Sequence, residues 1–495
     1  MRMSKKALSL MLLFAVMLQT IACGESDVDD PVRNSDTTET ALTTEEIPEY
    51  IKPDVDYGGR TVTLTGYDYD GAWTILDYNM ALEEENGDVI NDAIVQRNRA
   101  VEEELNVNIE LVSLGVGDRG SAAVLEKYIL AQEDVITFGT QMATGLKNLI
   151  TTEGMLVDLN DVPTLDLSHS WWNQHANAEY SLYGKQLAAV GDVNLFNLGA
   201  PVVVYFSQDV INNNKLNNPY QLVYDGKWTL DKMIEMSAAV ARDINGNTEI
   251  DTEDYFGFAG ETDTIIYAAY ASDIKLSRRN TAGEIQLSLN TERTVNLAEK
   301  LVPFLRDKSV TIYNGSWSSQ FSSVFTDFMM PKLMINELLF FSNQLLVSLN
   351  LRAMESDFGI LPFPKYDEAQ KDYISFGNGS FTDHVIVPST NTDLEMTGHL
   401  LEAMGYYAQQ YITPAFIDVS VKGKGARDED SVNMVNIILE NQVFDIGYIF
   451  NWGTMRSTLS NTVLNNDPSF ASQWASAESK INTALEETIA MLKGE

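Results

Sequence analysis

A chain of 495 residues with 71 acidic and 33 basic side chains carries a formal net charge of −38. Such a charge repels nucleic acid and anionic lipid headgroups, and it disfavours polyanionic substrates. Four histidines without zinc-like spacing and a single cysteine argue against a transition-metal site and leave no intrachain disulfide, so stability must come from burying the 44% of residues that are hydrophobic.

The first six residues, MRMSKK, carry Arg2, Lys5 and Lys6 and no acid, and the apolar run ALSLMLLFAVMLQ follows. This is the layout of a secretory signal, too short to span a bilayer. Ala22 stands before Cys23, the only cysteine. The segment resembles a bacterial lipobox, with Thr20 at the position where Leu is favoured. The resemblance implies cleavage after residue 22 and a diacylglycerol on Cys23 as the sole membrane anchor. The alternative is an ordinary secretory signal with an incidental thiol. No later stretch has the ~18 uninterrupted apolar residues of a membrane helix. Residues 23–57 are rich in Ser, Thr, Asp, Glu and Pro with no periodic apolar face, which predicts a disordered acidic linker.

Order is expected to begin at GGRTVTLTGY, where Thr61, Thr63 and Thr65 alternate with Val62 and Leu64 as in a β-strand. Ile90, Ala93, Ile94, Val101 and Leu105 recur at helical spacing, Asn106 can end that helix, and VNIELVSL reads as the next strand. The opening is therefore β-α-β, the start of an α/β sheet. DVITFGT (134–140) is a further strand, and EGMLVDLNDVP closes a unit. GKQLAAVGDVNLFNLGAPVVVYFSQDVI reads as several short apolar strands with glycine breaks. Helices follow near 229–241 and 291–306, strands at 332–341 and 384–390, and helices over most of the remainder. Alternating elements over so long a span exceed one domain.

Two stretches carry chemistry on their own residues. GYDYDGAW follows the first strand, where α/β sheets bind ligands, and Tyr67, Asp68, Tyr69 and Trp73 offer ring faces and one carboxylate of the kind sugars need. The alternative is an exposed loop with aromatics partly in the core. DINGNTEIDTED puts Asp243, Asn245, Asn247, the Glu249 carbonyl, Asp251 and Asp254 at loop positions 1, 3, 5, 7, 9 and 12 of the EF-hand spacing for Ca²⁺. Thr248 replaces the usual glycine and Asp254 the longer glutamate, so a weak structural calcium site is expected, against an Asx-rich turn. Trp171 and Trp172 read as a structural pair anchored at a lobe surface. No GxSxG, P-loop or HExxH occurs, and no acid stands out as catalytic.

The order of several blocks resembles an extracellular solute-binding protein of the carbohydrate ABC-importer class, family 1. The blocks are RNRAVEEELNVNIE, EGMLVDLNDV, GKQLAAVGDVN, PVVVYFSQDVI, NPYQLVYDGKWTLDKM, LPFPKYDEAQKDY and GKGARDEDSVNMVNIILENQVFDIGYIFNWG. The resemblance runs from about 58 to 490 and rests on their order and spacing. It implies a two-lobed α/β fold of the periplasmic-binding-protein type, with a hinge and an interlobe ligand cleft. Lobe 1 would be 58–197 plus 383–420 and lobe 2 198–382 plus 421–495, with crossings near 195–200, 382–385 and 412–425.

By the same resemblance, Thr140 and Gln141 would touch ligand, Asp192 and Phe196 would sit at the first crossing, and Tyr267, Tyr270, Glu337, Asn451 and Trp452 would add contacts and stacking faces. The implied function is capture of a carbohydrate, an oligosaccharide in the first instance, and its delivery to ABC permease subunits. The protein would be a monomer held by its lipid at the extracellular face of the cytoplasmic membrane, with no catalysis. The competing classes are a surface glycoside hydrolase or lyase and a peptide-binding or sensor lipoprotein.

Overall fold

The computed structural model describes residues 49–66, 80–377, 379–421 and 429–494. Cys23, Tyr67, Asp68, Tyr69 and Trp73 lie outside them. Among the described residues no helix is long and apolar enough to cross a membrane.

Nine strands and six helices position the site. They are β1 (Arg60–Gly66), α1 (Val89–Leu105), β2 (Val107–Ser113), β3 (Phe138–Gln141), α2 (Ala143–Thr151), α3 (Leu195–Gly199), β4 (Val202–Ser207), β5 (Phe256–Gly260), α4 (Thr264–Ala271), β6 (Thr311–Tyr313), β7 (Leu338–Gln344), β8 (Phe358–Pro362), β9 (His384–Ile386), α5 (Leu394–Val421) and α6 (Phe470–Lys493). The first sheet has the order β9-β3-β1-β2, the second β8-β4-β7-β5-β6. β1 runs parallel to β2 and β3, so Gly66, Ser113 and Gln141 end at one edge. β5 runs parallel to β6 and β7, so Gly260, Tyr313 and Gln344 end at one edge of the second sheet.

Local chemistry explains these elements. Asp88 caps α1 by accepting from the Ile90 and Asn91 amides, and Asn106 ends it at φ 50° in the left-handed region. β4 is a continuous apolar run because both faces are covered. Its period of two sends Val202, Val204 and Phe206 into one core and Val203 and Tyr205 into another. A third core joins the first sheet to α1 and α5 through Val62, Leu64, Val101, Leu105, Leu400 and Met404. Trp171 and Trp172 are buried in this core at 3% and 2% exposure, structural as expected but interior rather than at a lobe surface. Gly191 is required there, since a Cβ would stand 2.5 Å from the Trp172 ring.

Some boundaries differ from the sequence reading. The strand expected at 332–341 begins at Leu338, because Met330–Met334 is helical and Asn336 takes φ 60°. The run 184–200 forms isolated bridges and α3 rather than a series of strands. The end of the expected linker is also ordered. Tyr50 stacks on Tyr406 at 4.3 Å and meets Trp171 edge-on at 5.7 Å. Lys52 Nζ donates to Tyr407 Oη (2.6 Å) and pairs with Glu104 (3.1 Å), and Tyr57 Oη lies 2.7 Å from His399 Nδ1. Residues 49–57 thus form a strap over α1 and α5, held by three aromatic or basic side chains in a segment otherwise polar.

Segments distant in sequence are knitted between the sheets. Asn197 Nδ2 donates to the carbonyls of Gly191 (2.8 Å) and Asp383 (3.0 Å), while its Oδ1 accepts from the Asp383 amide (2.8 Å). Asn194 Nδ2 donates to the Asp383 carboxylate. Pro201 bridges Gly377, and Ala189 bridges Val385. α5 passes from the first-sheet core to the second-sheet core, where Ile412, Phe416 and Val419 pack, with Pro414 inside it.

The strap makes a measurable claim. Tyr50→Ala should lower unfolding free energy by about 1–2 kcal/mol, read as a shift in urea midpoint. A midpoint equal to wild type would show that the strap's packing contributes nothing.

Candidate functional site

The carboxyl edge of the second sheet opens into a cavity of about 570 Å³. That is within the range of small-molecule sites, and strand carboxyl ends are where α/β folds place them. Glu261, Thr262 and Asp263 enter it directly after β5, Asn314 directly after β6, and Asn343 and Gln344 at the end of β7. Tyr267 comes from α4, and Phe325 and Asp327 from the segment before β7. Phe381 comes from the crossing that precedes β9. That crossing also reaches the first sheet, because the Ala143 amide, just past β3, donates to the Gly379 carbonyl at 3.2 Å.

The lining is acidic, amide-rich and aromatic. Asn314 Nδ2 donates to Glu261 Oε2 at 2.6 Å. Burial pushes the Glu261 carboxyl up, the Asn314 bond opposes this, and the charge of Asp263 adds to the rise. Asp327 is satisfied locally by the Ser323 amide (2.9 Å) and Thr326 Oγ1 (3.0 Å). Asn343 is only 1% exposed; its Oδ1 accepts from the Gln344 amide (2.9 Å), while its Nδ2 has no partner. A buried amide donor left unmade costs about 1–3 kcal/mol. Asn343 is one of the residues that line the cavity.

The residues picked from sequence scatter. Tyr267 lines the cavity. Tyr270, three residues on, points into the core: its ring stacks on Phe376 at 4.0 Å and its hydroxyl donates to Asp445 at 2.9 Å. Thr140 and Gln141 end β3 but are buried, and Gln141 Oε1 accepts from Ser121 Oγ at 3.0 Å. Glu337 sits at the opposite end of the second sheet, one residue before β7, in an ion pair with Lys332. The late start of β7 is the reason, since the strand's carboxyl end lies at Asn343 and Gln344. Trp452 is 1% exposed, stacked on Phe450 with Nε1 donating to Thr488 Oγ1 (3.0 Å), so it is core rather than a sugar platform. Asn451 caps a short helix at φ 43°, its Oδ1 accepting from the Arg456 amide.

Phe196 is buried on α3. Asp192 accepts from Thr413 Oγ1 of α5 at 3.3 Å, and burial pushes its carboxyl up to about 7. Both belong to the crossing rather than to the cavity lining.

The loop 243–254 is closed by its own hydrogen bonds. Asp243 accepts from the Gly246 (2.7 Å) and Thr248 (2.9 Å) amides, and Asn245 and Asn247 turn their Nδ2 atoms to Asp251 Oδ2 at 3.2 and 2.7 Å. Asp254 is buried and accepts from the Ile244 and Asp251 amides. Thr248 takes φ 64° at the position where an EF-hand loop places glycine. Among the described residues no group of three or more His, Cys, Asp or Glu is arranged to hold a metal ion, so any ion here would rely on amide and carbonyl oxygens as well.

Sequence reasoning missed Glu261, Asp263, Asn314, Asn343, Asp327 and Phe381. The signal for the first two was present, since ETD follows the apolar run FGFAG directly. For Asn343 it was the polar SNQ ending LLFF, hidden by a strand expected to start six residues and end three residues too early.

No protein-family model matches the chain, and no curated protein sequence matches it. Solved structures do. An ABC substrate-binding protein of Listeria monocytogenes in complex with cycloalternan aligns at TM-score 0.56 and 13% identity, covering 86% of this chain and 99% of that one. The cyclic alpha-maltosyl-1,6-maltose binding protein of Arthrobacter globiformis aligns at TM-score 0.56 and 11% identity, covering 87% and 100%. UgpB of Mycobacterium tuberculosis in complex with glycerophosphocholine aligns at 0.56 and 13%, covering 80% and 96%. This is the two-lobed solute-binding-protein fold. Identities of this size carry the fold and nothing finer.

Two outcomes follow from these placements. Trp452→Ala should cost about 3–5 kcal/mol of stability, measured by urea unfolding without ligand; a near-neutral result would return Trp452 to the list of contact residues. His384 on β9 is fully buried, with Nδ1 2.9 Å from the Gln141 carbonyl, and burial pushes it down to about 4 from 6.5. Its neutral form is the folded one, so its contribution is present above pH 6.5 and is lost as pH falls through 4. Against His384→Gln, the wild type should lose about 3 kcal/mol more over that window, read from urea midpoints at each pH. Parallel curves would contradict this.

Proposed function

We propose that the chain is the substrate-binding component of an ABC importer, capturing a carbohydrate outside the cell and presenting it to membrane permease subunits. One observation carries the reading: a cavity combining carboxylates, amides and aromatic rings at the strand ends of a hinged two-lobed fold, with an unpartnered buried donor inside it. Hydroxyls match such donors and acceptors, and the C–H face of a sugar ring matches Tyr267, Phe325 or Phe381. The neighbours in complex with cycloalternan and named for cyclic maltosyl-maltose support a carbohydrate, and an oligosaccharide in particular. The reading includes export, a lipid on Cys23 as the anchor, a monomeric state and no catalysis.

Ligand must favour the closed arrangement through contacts absent from the open one, otherwise it shifts nothing. A melting screen over mono- and oligosaccharides should find a sugar that raises Tm by linkage and is recovered chemically unchanged. Asn343→Ala should leave the ligand-free Tm within about a degree or two and weaken binding by roughly tenfold, measured by calorimetry. A sugar hydrolysed during the assay, or unweakened binding by the variant, would count against this reading.

A calcium ion in loop 243–254 belongs to the proposal as a structural element. Asp243, Asn245, Asn247, the Glu249 carbonyl, Asp251 and Asp254 would hold it. An ion drawing the oxygens of Asn245 and Asn247 inward would offset the strain of the left-handed threonine. Tm in calcium should exceed Tm in EGTA; identical melting curves would remove the ion from the proposal.

A further inference from the structure

Among the described residues, the cavity has acids and no base in its lining. Glu261, Asp263 and Asp327 line it, and among the described lining residues there is no Lys, Arg or His. None of the three is in an ion pair among the described residues. Asp327 is spent on its own segment. Glu261 and Asp263 stand two residues apart on one loop, and the side chains that reach them are neutral: the Asn314 amide at 2.6 Å and Ser460 Oγ at 3.3 Å. A lobe closing over two like charges around a neutral ligand buries them without a counter-ion, which is among the costlier events in a protein interior. An ammonium between them removes that cost, and the nearby rings of Tyr267, Phe325 and Phe381 add cation–π attraction.

A second group asks for something different. Asn343 lines the same cavity, and its Nδ2, buried and without a partner among the described residues, needs an acceptor oxygen. An ammonium supplies none, so one ligand must carry both features.

We propose that the solute is a cationic sugar, with a free amine seated against Glu261 and Asp263 and a hydroxyl or ring oxygen accepting from Asn343. This rests on the reading of the cavity as the solute site and on the carbohydrate reading, and it adds the charge.

Matched probes separate the three claims. Glucose and glucosamine, and cellobiose, chitobiose with both amines free and N,N′-diacetylchitobiose, are titrated into the full chain by calorimetry at low and high salt. The free-amine member of each pair should bind at least about tenfold tighter at low salt, and the ratio should shrink at high salt. Glu261→Gln and Asp263→Asn, each checked by melting, should collapse the ratio toward unity by weakening the amine alone. A neutral member binding as tightly as its amine partner overturns the inference and leaves the carbohydrate reading standing. Silence of all sugars alongside binding of choline or a short lysine peptide overturns both the inference and the carbohydrate reading, while the cavity remains a solute site. Should no probe bind and the variants match wild type throughout, the cavity itself loses its role.

Discussion

A single side-chain amide does much to determine what this molecule can do. Asn197 is bonded through both of its polar atoms to main chain, at Gly191 within its own crossing and at Asp383 in the other. Two chain segments nearly two hundred residues apart are thereby held side by side at the boundary between the sheets. Few other arrangements would let the sheets be separate bodies and still share a fixed pivot. Carbonyl and amide groups at such a boundary would otherwise be buried unpaired, which interiors rarely tolerate. In the proposed function these bonds stay internal to the crossing as the lobes turn, which is what hinge closure requires.

The location of the cavity follows from that pivot and from strand direction. β5, β6 and β7 end together because they run parallel, and the loops leaving parallel strands gather at one edge. The crossing that carries Asp383 also carries Phe381 into the cavity and Gly379 against the start of α2. The same short segment therefore touches the pivot, the ligand space and the first sheet's carboxyl edge. In the proposed function a solute that displaces Phe381 would act on this crossing directly, with no long path of coupling between binding and closure.

Elements dominated by local rules were legible in the sequence. The alternation in RTVTLTG, the apolar spacing in α1 and its Asn106 stop each state a structure in a few residues. The site was less legible, because a ligand residue differs from a core residue only in what lies opposite it. Tyr267 and Tyr270 have the same chemistry and neighbouring positions, yet Phe376 stands over Tyr270 while the cavity opens before Tyr267. Trp452 looked like a stacking platform and is covered by Phe450 and Thr488. Glu337 failed for a different reason. The residues MPKLM can form a helical turn or extend a strand, and only pairing with β5 shows that the strand starts at Leu338. An error of six residues there carries a contact from one end of a sheet to the other.

The strap over α1 and α5 constrains how closure can be used. Its aromatic and ionic contacts are all to elements packed on the first sheet: Glu104 at the end of α1, and Trp171, Tyr406, Tyr407 and His399 in or beside that same core. Chain entering the fold at Glu49 is therefore fastened to the first lobe before the first strand begins. A pull along that chain is taken up by the strap and transmitted to the first-sheet core rather than to the pivot. The cavity's donors and carboxylates, by contrast, sit on loops of the second sheet. If the N-terminal chain is the tether, the held lobe and the lobe that supplies most of the described ligand groups are different bodies. In the proposed function, closure would then move a solute held by the second lobe relative to a first lobe whose position is set from outside.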